Sequence, residues 1–168
     1  MTVTAGADFV EMRLSKAVWV SVDGDEAAFV VVLDGVSTTR HLAIQIGSAE
    51  ALILSTSLDG KQFPRPMGPH FAASLLQALG GRVCQVRIDR LIPMGGGTAY
   101  GSTVVIEGGA GTVSVDARPS DALNLAALVH APILVAPEVL ADAEGRLENA
   151  SPEADRLRLA LESEPMHL

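Results

Sequence analysis

The chain has 168 residues, a formal charge of -8, a pI near 4.8, 48% hydrophobic residues and 19% charged residues. That length and composition predict one folded domain, well away from the polar, highly charged compositions of disordered chains. The acidic balance excludes a broad cationic footprint for nucleic acid, so any phosphate contact must be local.

Cys84 is the single cysteine, which rules out an internal disulfide or a paired-cysteine metal site and fits a reducing compartment. The opening MTVTAGADFVEMRL has no basic patch followed by an apolar stretch, and no window approaches the ~20 apolar residues of a membrane span. A cytoplasmic location without membrane association is therefore expected. Lys16 and Lys61 are the only lysines; the other cations are arginines, suited to forked contacts with carboxylates or phosphates.

Residues 9–22 alternate in places, and 27–33 form a β-branched run meeting Asp34-Gly35, a dipeptide suited to a two-residue hairpin turn. Residues 38–46 supply the next strand. Ser48 can then cap a helix running to about Leu58, with Glu50 in its first turn. Asp59-Gly60 stops it, and Pro64, Pro66 and Pro69 hold an extended, ordered loop. From Pro69, an apolar stripe of Phe71, Leu75, Leu76 and Leu79 marks a helix ending at Gly80-Gly81, with His70, Ser74 and Gln77 on its polar side.

Residues 82–92 read as a strand in which Val83, Val86 and Ile88 are inward candidates, provided a bulge corrects the parity. A glycine-rich turn at 93–97, a strand at 99–106, a turn at 108–111 and a strand at 112–117 make two hairpins in series. Arg118-Pro119-Ser120-Asp121 opens a helix to about Val129, with Leu125, Leu128 and Val129 available to the core. Pro132 ends it. A short strand at 132–136 follows, then a brief helix from Pro137 to about Ala143. Ser151-Pro152-Glu153 starts a terminal helix with a stripe of Leu157, Ala160 and Leu161. The predicted class is α+β: a mainly antiparallel sheet with several helices packed on it. Residues 1–145 form the domain, and 146–168 a C-terminal helical appendage or partner-facing element.

Three blocks carry a resemblance: Ile46-Gly47 with Glu50-Ala51; Pro64-Arg65-Pro66; and Asp116-Ala117-Arg118-Pro119-Ser120-Asp121-Ala122 followed by Pro132-Ile133. In order and spacing they resemble the bifunctional nuclease domain family over residues 40–140. The resemblance implies an α+β fold, assembly into small homo-oligomers (dimer or trimer) and activity on DNA or RNA. One segment departs: where family members carry Thr-His-Asp after the Arg-Pro pair, this chain has Gly68, Pro69 and His70. Tyr100 matches an aromatic of the family, although the glycine-phenylalanine lead before it is altered to Gly97-Thr98-Ala99.

Glu50, Asp116 and Asp121 are the carboxylates of the matched blocks. A nuclease needs such groups to hold Mg²⁺ or Mn²⁺ for phosphodiester hydrolysis. The alternative is structural: Glu50 and Asp121 favour helix N-termini while Asp116 pairs with Arg118 or Arg65. Arg65 and Arg118, each beside proline, offer rigid forks to a substrate phosphate or to those same carboxylates. Ser120 is a substrate-binding or helix-capping candidate, since no G-x-S-x-G elbow surrounds it. His70 is a candidate general base where the family has aspartate, or else a surface or capping residue. His41, His130 and His167 lack paired metal-ligand spacing. Gly95, Gly96, Gly97 and Gly101 miss both phosphate-loop patterns, so no nucleotide cofactor is expected. The rival to a nuclease is a noncatalytic oligomeric binding or regulatory module; nothing in the motifs favours a small-molecule enzyme.

Overall fold

The computed structural model describes residues 8–22, 24 and 27–166. In chain order these form β1 (Val10–Val20), β2 (Ala28–Gly35), β3 (His41–Ile46), α1 (Ser48–Leu58), α2 (Gly68–Ala78), β4 (Arg82–Met94), β5 (Gly97–Gly108), β6 (Gly111–Ala117), α3 (Pro119–Val129), β7 (Ile133–Val135), α4 (Pro137–Glu148) and α5 (Pro152–Glu162). The strands make one seven-stranded sheet in the order β3-β2-β1-β7-β4-β5-β6. Every pairing is antiparallel except β4 with β7. This is the expected α+β class.

Two meanders, β1-β2-β3 and β4-β5-β6, meet at β7. Its three residues pair with Val10, Glu11 and Met12 on one side and with Val86, Arg87 and Ile88 on the other. Backbone bonds from Val86 to the Pro132 carbonyl and from Ala136 to the Ile88 carbonyl, both 2.9 Å, extend the parallel seam beyond the strand.

The expected bulge in β4 is present. Its register against β5 shifts between Val83 and Gln85 and again between Ile88 and Arg90, and Val86 and Ile88 are fully buried. The two hairpins in series are also present, but tighter than expected. Pro93 and Met94 pair with Thr98 and Gly97, leaving Gly95 and Gly96 as the turn, with Gly96 at φ 109°. Only glycine takes that backbone region freely.

Several local expectations are corrected. Asp34-Gly35 is not the hairpin turn: both residues stay in the ladder opposite Arg13 and Met12. The connection is the five-residue stretch 36–40, closed by the Gly35 amide on the Arg40 carbonyl at 2.9 Å. Ser48 does not cap α1; the N-cap is Gly47, without a side-chain bond. The apolar stripe of α2 is not covered: Phe71, Leu75 and Leu79 are 63%, 50% and 77% exposed, because this helix packs on α3 and has no buried residue. In α3 the core face is Ala122, Leu123 and Ala126, while Leu125 and Leu128 are half-buried and Val129 is exposed. The larger residues Leu125, Leu128 and Val129 are the expected core face, but the helix turns its small residues Ala122 and Ala126 with Leu123 inward.

β2 is buried on both faces, which accounts for its unbroken apolar run. Val31 and Leu33 enter the larger core with Leu54 of α1, Leu123 of α3 and Leu140 of α4. Val30 and Val32 enter a smaller core closed by Leu157 and Ala160 of α5. The boundary expected after residue 145 falls inside α4, which continues to Glu148. The terminal helix is tied to the sheet: Ser151 accepts its capping bond from the Ala154 amide at 3.1 Å, and Lys16 of β1 donates to the Leu161 carbonyl at 2.9 Å and also to that of Ser163. A cation on those last carbonyls offsets the negative end of the helix. No helix among the described residues is long and apolar enough to cross a membrane.

Burial of Leu157, 5% exposed, implies that Leu157→Ala lowers stability by about 2–4 kcal/mol, read as a reduced midpoint in urea denaturation. An unchanged midpoint would make α5 dispensable to the sheet.

Candidate functional site

The third matched block links β6 to α3. Ser102 of β5 donates to the Ala117 carbonyl at 2.7 Å, fixing the end of β6. Arg118 then takes an extended backbone at φ -70°, ψ 148°, as a residue before proline prefers. Pro119 occupies the first helical position, where its missing amide is harmless. The Arg118 carbonyl accepts from the Asp121 and Ala122 amides at 3.1 and 3.0 Å, so the residue starts the helix while its side chain stays at the surface.

That side chain gathers two carboxylates. Arg118 Nε donates to Asp121 Oδ2 at 2.8 Å, while Nη2 donates to Asp121 Oδ1 at 3.0 Å and Glu50 Oε1 at 2.9 Å. Asp121, then Glu50, hold the guanidinium protonated well above its ordinary range. Gly47 makes the Glu50 position reachable: a Cβ at residue 47 would collide with the Glu50 carboxylate oxygen. Beneath the pair lies Asn124, 1% exposed. Its amide donates to the Glu50 carbonyl at 3.1 Å and the Ser120 carbonyl at 3.0 Å, joining α1 to α3.

Arg118 also lines a cleft of about 340 Å³ with Ile46, Gly47, Tyr100, Ser120, Arg146 and Glu153. Tyr100 donates to Asp142 Oδ2 at 2.9 Å. Arg146 donates to the same oxygen at 2.6 Å and stacks on the tyrosine ring at 4.6 Å. Burial, and then the Asp142 contact, push the Tyr100 phenol far above its usual range, so it remains a neutral hydroxyl. Burial works against the charge on Arg146, but Tyr100, Asp142 and Glu153 outweigh it and raise its pKa. The cleft thus holds two guanidinium groups whose charge persists at any physiological pH.

The structure brings Glu50, Arg118, Ser120 and Asp121 together. Ser120 is not the cap of α3; it lies inside the helix, 9% exposed, at the floor of the cleft. Asp116 pairs with neither Arg118 nor Arg65. It stands 86% exposed on β6 and binds Arg90 of β4, because the β5 strand between them carries a bare Gly101 against which Arg90 lies. Arg65 and His70 line a different cavity with Lys61 and His130. His41 binds Asp34 at 2.8 Å; His167 lies outside the described residues. Among the described residues no three His, Cys, Asp or Glu side chains gather for a metal. Glu50 and Asp121, the two acids that converge, have the Arg118 guanidinium between them. In this arrangement they do not fit a resident divalent ion.

Tyr100, Asn124, Asp142 and Arg146 escape the sequence analysis as site residues. The i,i+4 spacing of Asp142 and Arg146 was the available signal for a polar helical face, hidden by ending that helix at Ala143.

Strand ends and helix starts of a mixed sheet thus surround a cleft lined by two arginines and their carboxylate partners, defining an α+β domain with a polar surface site. The bifunctional nuclease domain matches residues 31–148, and the chain belongs to that family. It is 31% identical over 128 residues to the uncharacterized protein Rv1829 of Mycobacterium tuberculosis (strain ATCC 25618 / H37Rv), covering 76% of this chain and 74% of that one. The same identity and coverage relate it to the uncharacterized protein MT1877 of Mycobacterium tuberculosis (strain CDC 1551 / Oshkosh). The family match stops where α4 ends, so α5 lies outside it.

Asn124→Ala is expected to lower stability by about 1–3 kcal/mol in urea denaturation, because it removes the buried hydrogen-bonded bridge between α1 and α3. Arg118→Ala, at a 67% exposed side chain, is expected to shift the midpoint much less. Equal shifts would mean that the surface cluster holds α1 to α3 as firmly as Asn124 does.

Proposed function

We propose that this chain binds a phosphodiester strand of DNA or RNA in the Arg118–Arg146 cleft and hydrolyses it there. The observation that carries this reading is the pairing of two persistent guanidinium charges in one cleft of a chain with net charge -8. Each guanidinium is held there by carboxylates, Arg118 by Asp121 and Glu50 and Arg146 by Asp142 and Glu153, and forked donors suit phosphate oxygens that take the place of one of them. The family to which the chain belongs supports nucleic acid as the source of that phosphate.

Arg118 is exposed, and exposed ion pairs contribute little to stability, so a phosphate can take the place of Asp121 on the guanidinium at small cost. Arg118 and Arg146 then neutralise the phosphate and the charge that grows on it during attack. The released Asp121 carboxylate accepts the proton of the attacking water as the oxygen–phosphorus bond forms; the strand oxygen leaves with the other bonding pair. Tyr100, held neutral, offers a hydroxyl and a ring edge at the cleft wall.

The test uses single-stranded DNA and RNA with and without Mg²⁺ or Mn²⁺, comparing wild type with Asp121→Ala and Arg118→Ala at matched purity and fold. Cleavage is expected to fall by about 100-fold or more in both variants. Equal cleavage by all three preparations would sink the site. Retained strand binding without cleavage in the wild type would favour a noncatalytic module.

A second reading, a noncatalytic binding module assembled from copies of this chain, is favoured by one observation. Phe71, Leu75 and Leu79 of α2 are exposed together, and edge strand β6 exposes Val113 and Val115. Unpaired edges and apolar stripes are surfaces that a second copy can cover. Light scattering would then give a multiple of 17.5 kDa for the wild type and a smaller mass for Leu75→Glu; a monomeric wild type would remove this reading.

A further inference from the structure

The match to the family ends at Glu148, but the wall of the Arg118–Arg146 cleft continues past it: Glu153 and Leu157 of α5 line it too. This helix is tied to the domain along its length. Ser151 caps its start, and Leu157 and Ala160 are buried in the smaller core. Arg158 donates to the Asn149 carbonyl at 3.2 Å and to that of Leu147, closing the turn that leads in from α4. The backbone of α5 therefore fixes where residue 153 stands, and what remains adjustable there is the side chain.

The three nitrogens of Arg146 have different partners. Nε donates to Asp142 Oδ2 at 2.6 Å and Nη2 to the Thr98 carbonyl, so both are committed within the matched domain. Nη1 is left to Glu153 Oε1, at 3.4 Å. The Arg146 and Asp142 side chains are 22% and 25% exposed, whereas Glu153 is 54% exposed. A long contact to an exposed acid contributes little and is readily exchanged. Displacing Asp142 would cost more, because that carboxylate also accepts from Tyr100 and its partners are half-buried. The least costly approach of a phosphate to Arg146 is thus at Nη1, where Glu153 stands.

We propose that Glu153 is an internal competitor for this cleft: a carboxylate of α5 that contends with an incoming phosphate for Arg146 Nη1 and so sets how tightly a strand is held. The inference rests on the strand-binding reading above and names the residue that restrains it. Because the competitor stands on a helix beyond the family match, the restraint belongs to this chain's own extension and not to the matched domain.

The experiment measures binding of a fluorescein-labelled single-stranded DNA by anisotropy, at fixed ionic strength and without divalent ions, with the strand checked for intactness on a gel. Glu153→Gln keeps the side chain's size and removes its charge; it is expected to tighten binding about two- to fivefold, the equivalent of one exposed ion pair. Glu162→Gln makes the same change of net charge on the same helix, roughly 13 Å further along its axis and beyond the screening length of physiological salt. It is expected to leave the affinity at the wild-type value. In an Arg146→Gln background, checked for fold by circular dichroism, the gain from Glu153→Gln is expected to vanish; a gain that persists there overturns the proposal. Equal affinities of wild type, Glu153→Gln and Glu162→Gln, with binding still weakened by Arg118→Ala, overturn the competitor and leave the strand-binding reading standing. Equal tightening by Glu153→Gln and Glu162→Gln also overturns it, since net charge alone would then be responsible. Absence of binding by every preparation, Glu153→Gln included, overturns the strand-binding reading and the competitor with it.

Discussion

Between β1 and β4, the short strand Ile133–Val135 hydrogen-bonds to both neighbours and makes one sheet from two meanders. Ile133 and Val135 are buried in the larger core, and the remaining architecture follows from their placement. The chain must reach that seam from α3 and leave it into α4. This fixes the start of α3 beside α1 on one side of the connection and brings α4 back toward β3 and β4 on the other. Arg118 and Arg146, far apart in sequence, meet at one cleft because both flanking helices are anchored to the same three residues.

Around that frame, charge is managed by arginine. Most arginines end on a carboxylate, and several of these pairs join elements: Arg40 to Glu144 of α4, and Arg118 to Glu50 of α1. The pairs are largely exposed, so packing supplies stability while the ion pairs set geometry. A guanidinium held by two carboxylates at a cleft mouth is positioned yet exchangeable.

Much of this was legible beforehand because it depends on local chemistry. Asp59-Gly60 ends α1 through turn preference, Ser151-Pro152 starts α5 with a side-chain cap, and the parity of Val83, Val86 and Ile88 demanded an irregular strand that the shifted register supplies. The acids Glu50 and Asp121 stand in the first turns of their helices, as dipole arguments require. What escaped depends on distant packing. The Asp34-Gly35 dipeptide has hairpin chemistry, but pairing with β1 keeps it in the ladder. Phe71, Leu75 and Leu79 have core periodicity, yet α2 packs chiefly on α3 and leaves them exposed. The matched arginines share a proline context but fall in separate cavities, since one precedes α2 and the other α3.

The central strand is also the last to be made. β1 and β2 can pair as a local hairpin, as can β4 with β5 and β6, but the sheet joins the two meanders only through residues 133–135. The two halves must therefore wait with unsatisfied edges along Val10–Met12 and Val86–Ile88, and closing the sheet brings together positions more than a hundred residues apart in sequence. Such long-range closure is slow and favours misplaced edge pairing during the delay. The largest sequence separation within the sheet is thus concentrated at a three-residue strand, and the topological cost of closing the sheet is set there.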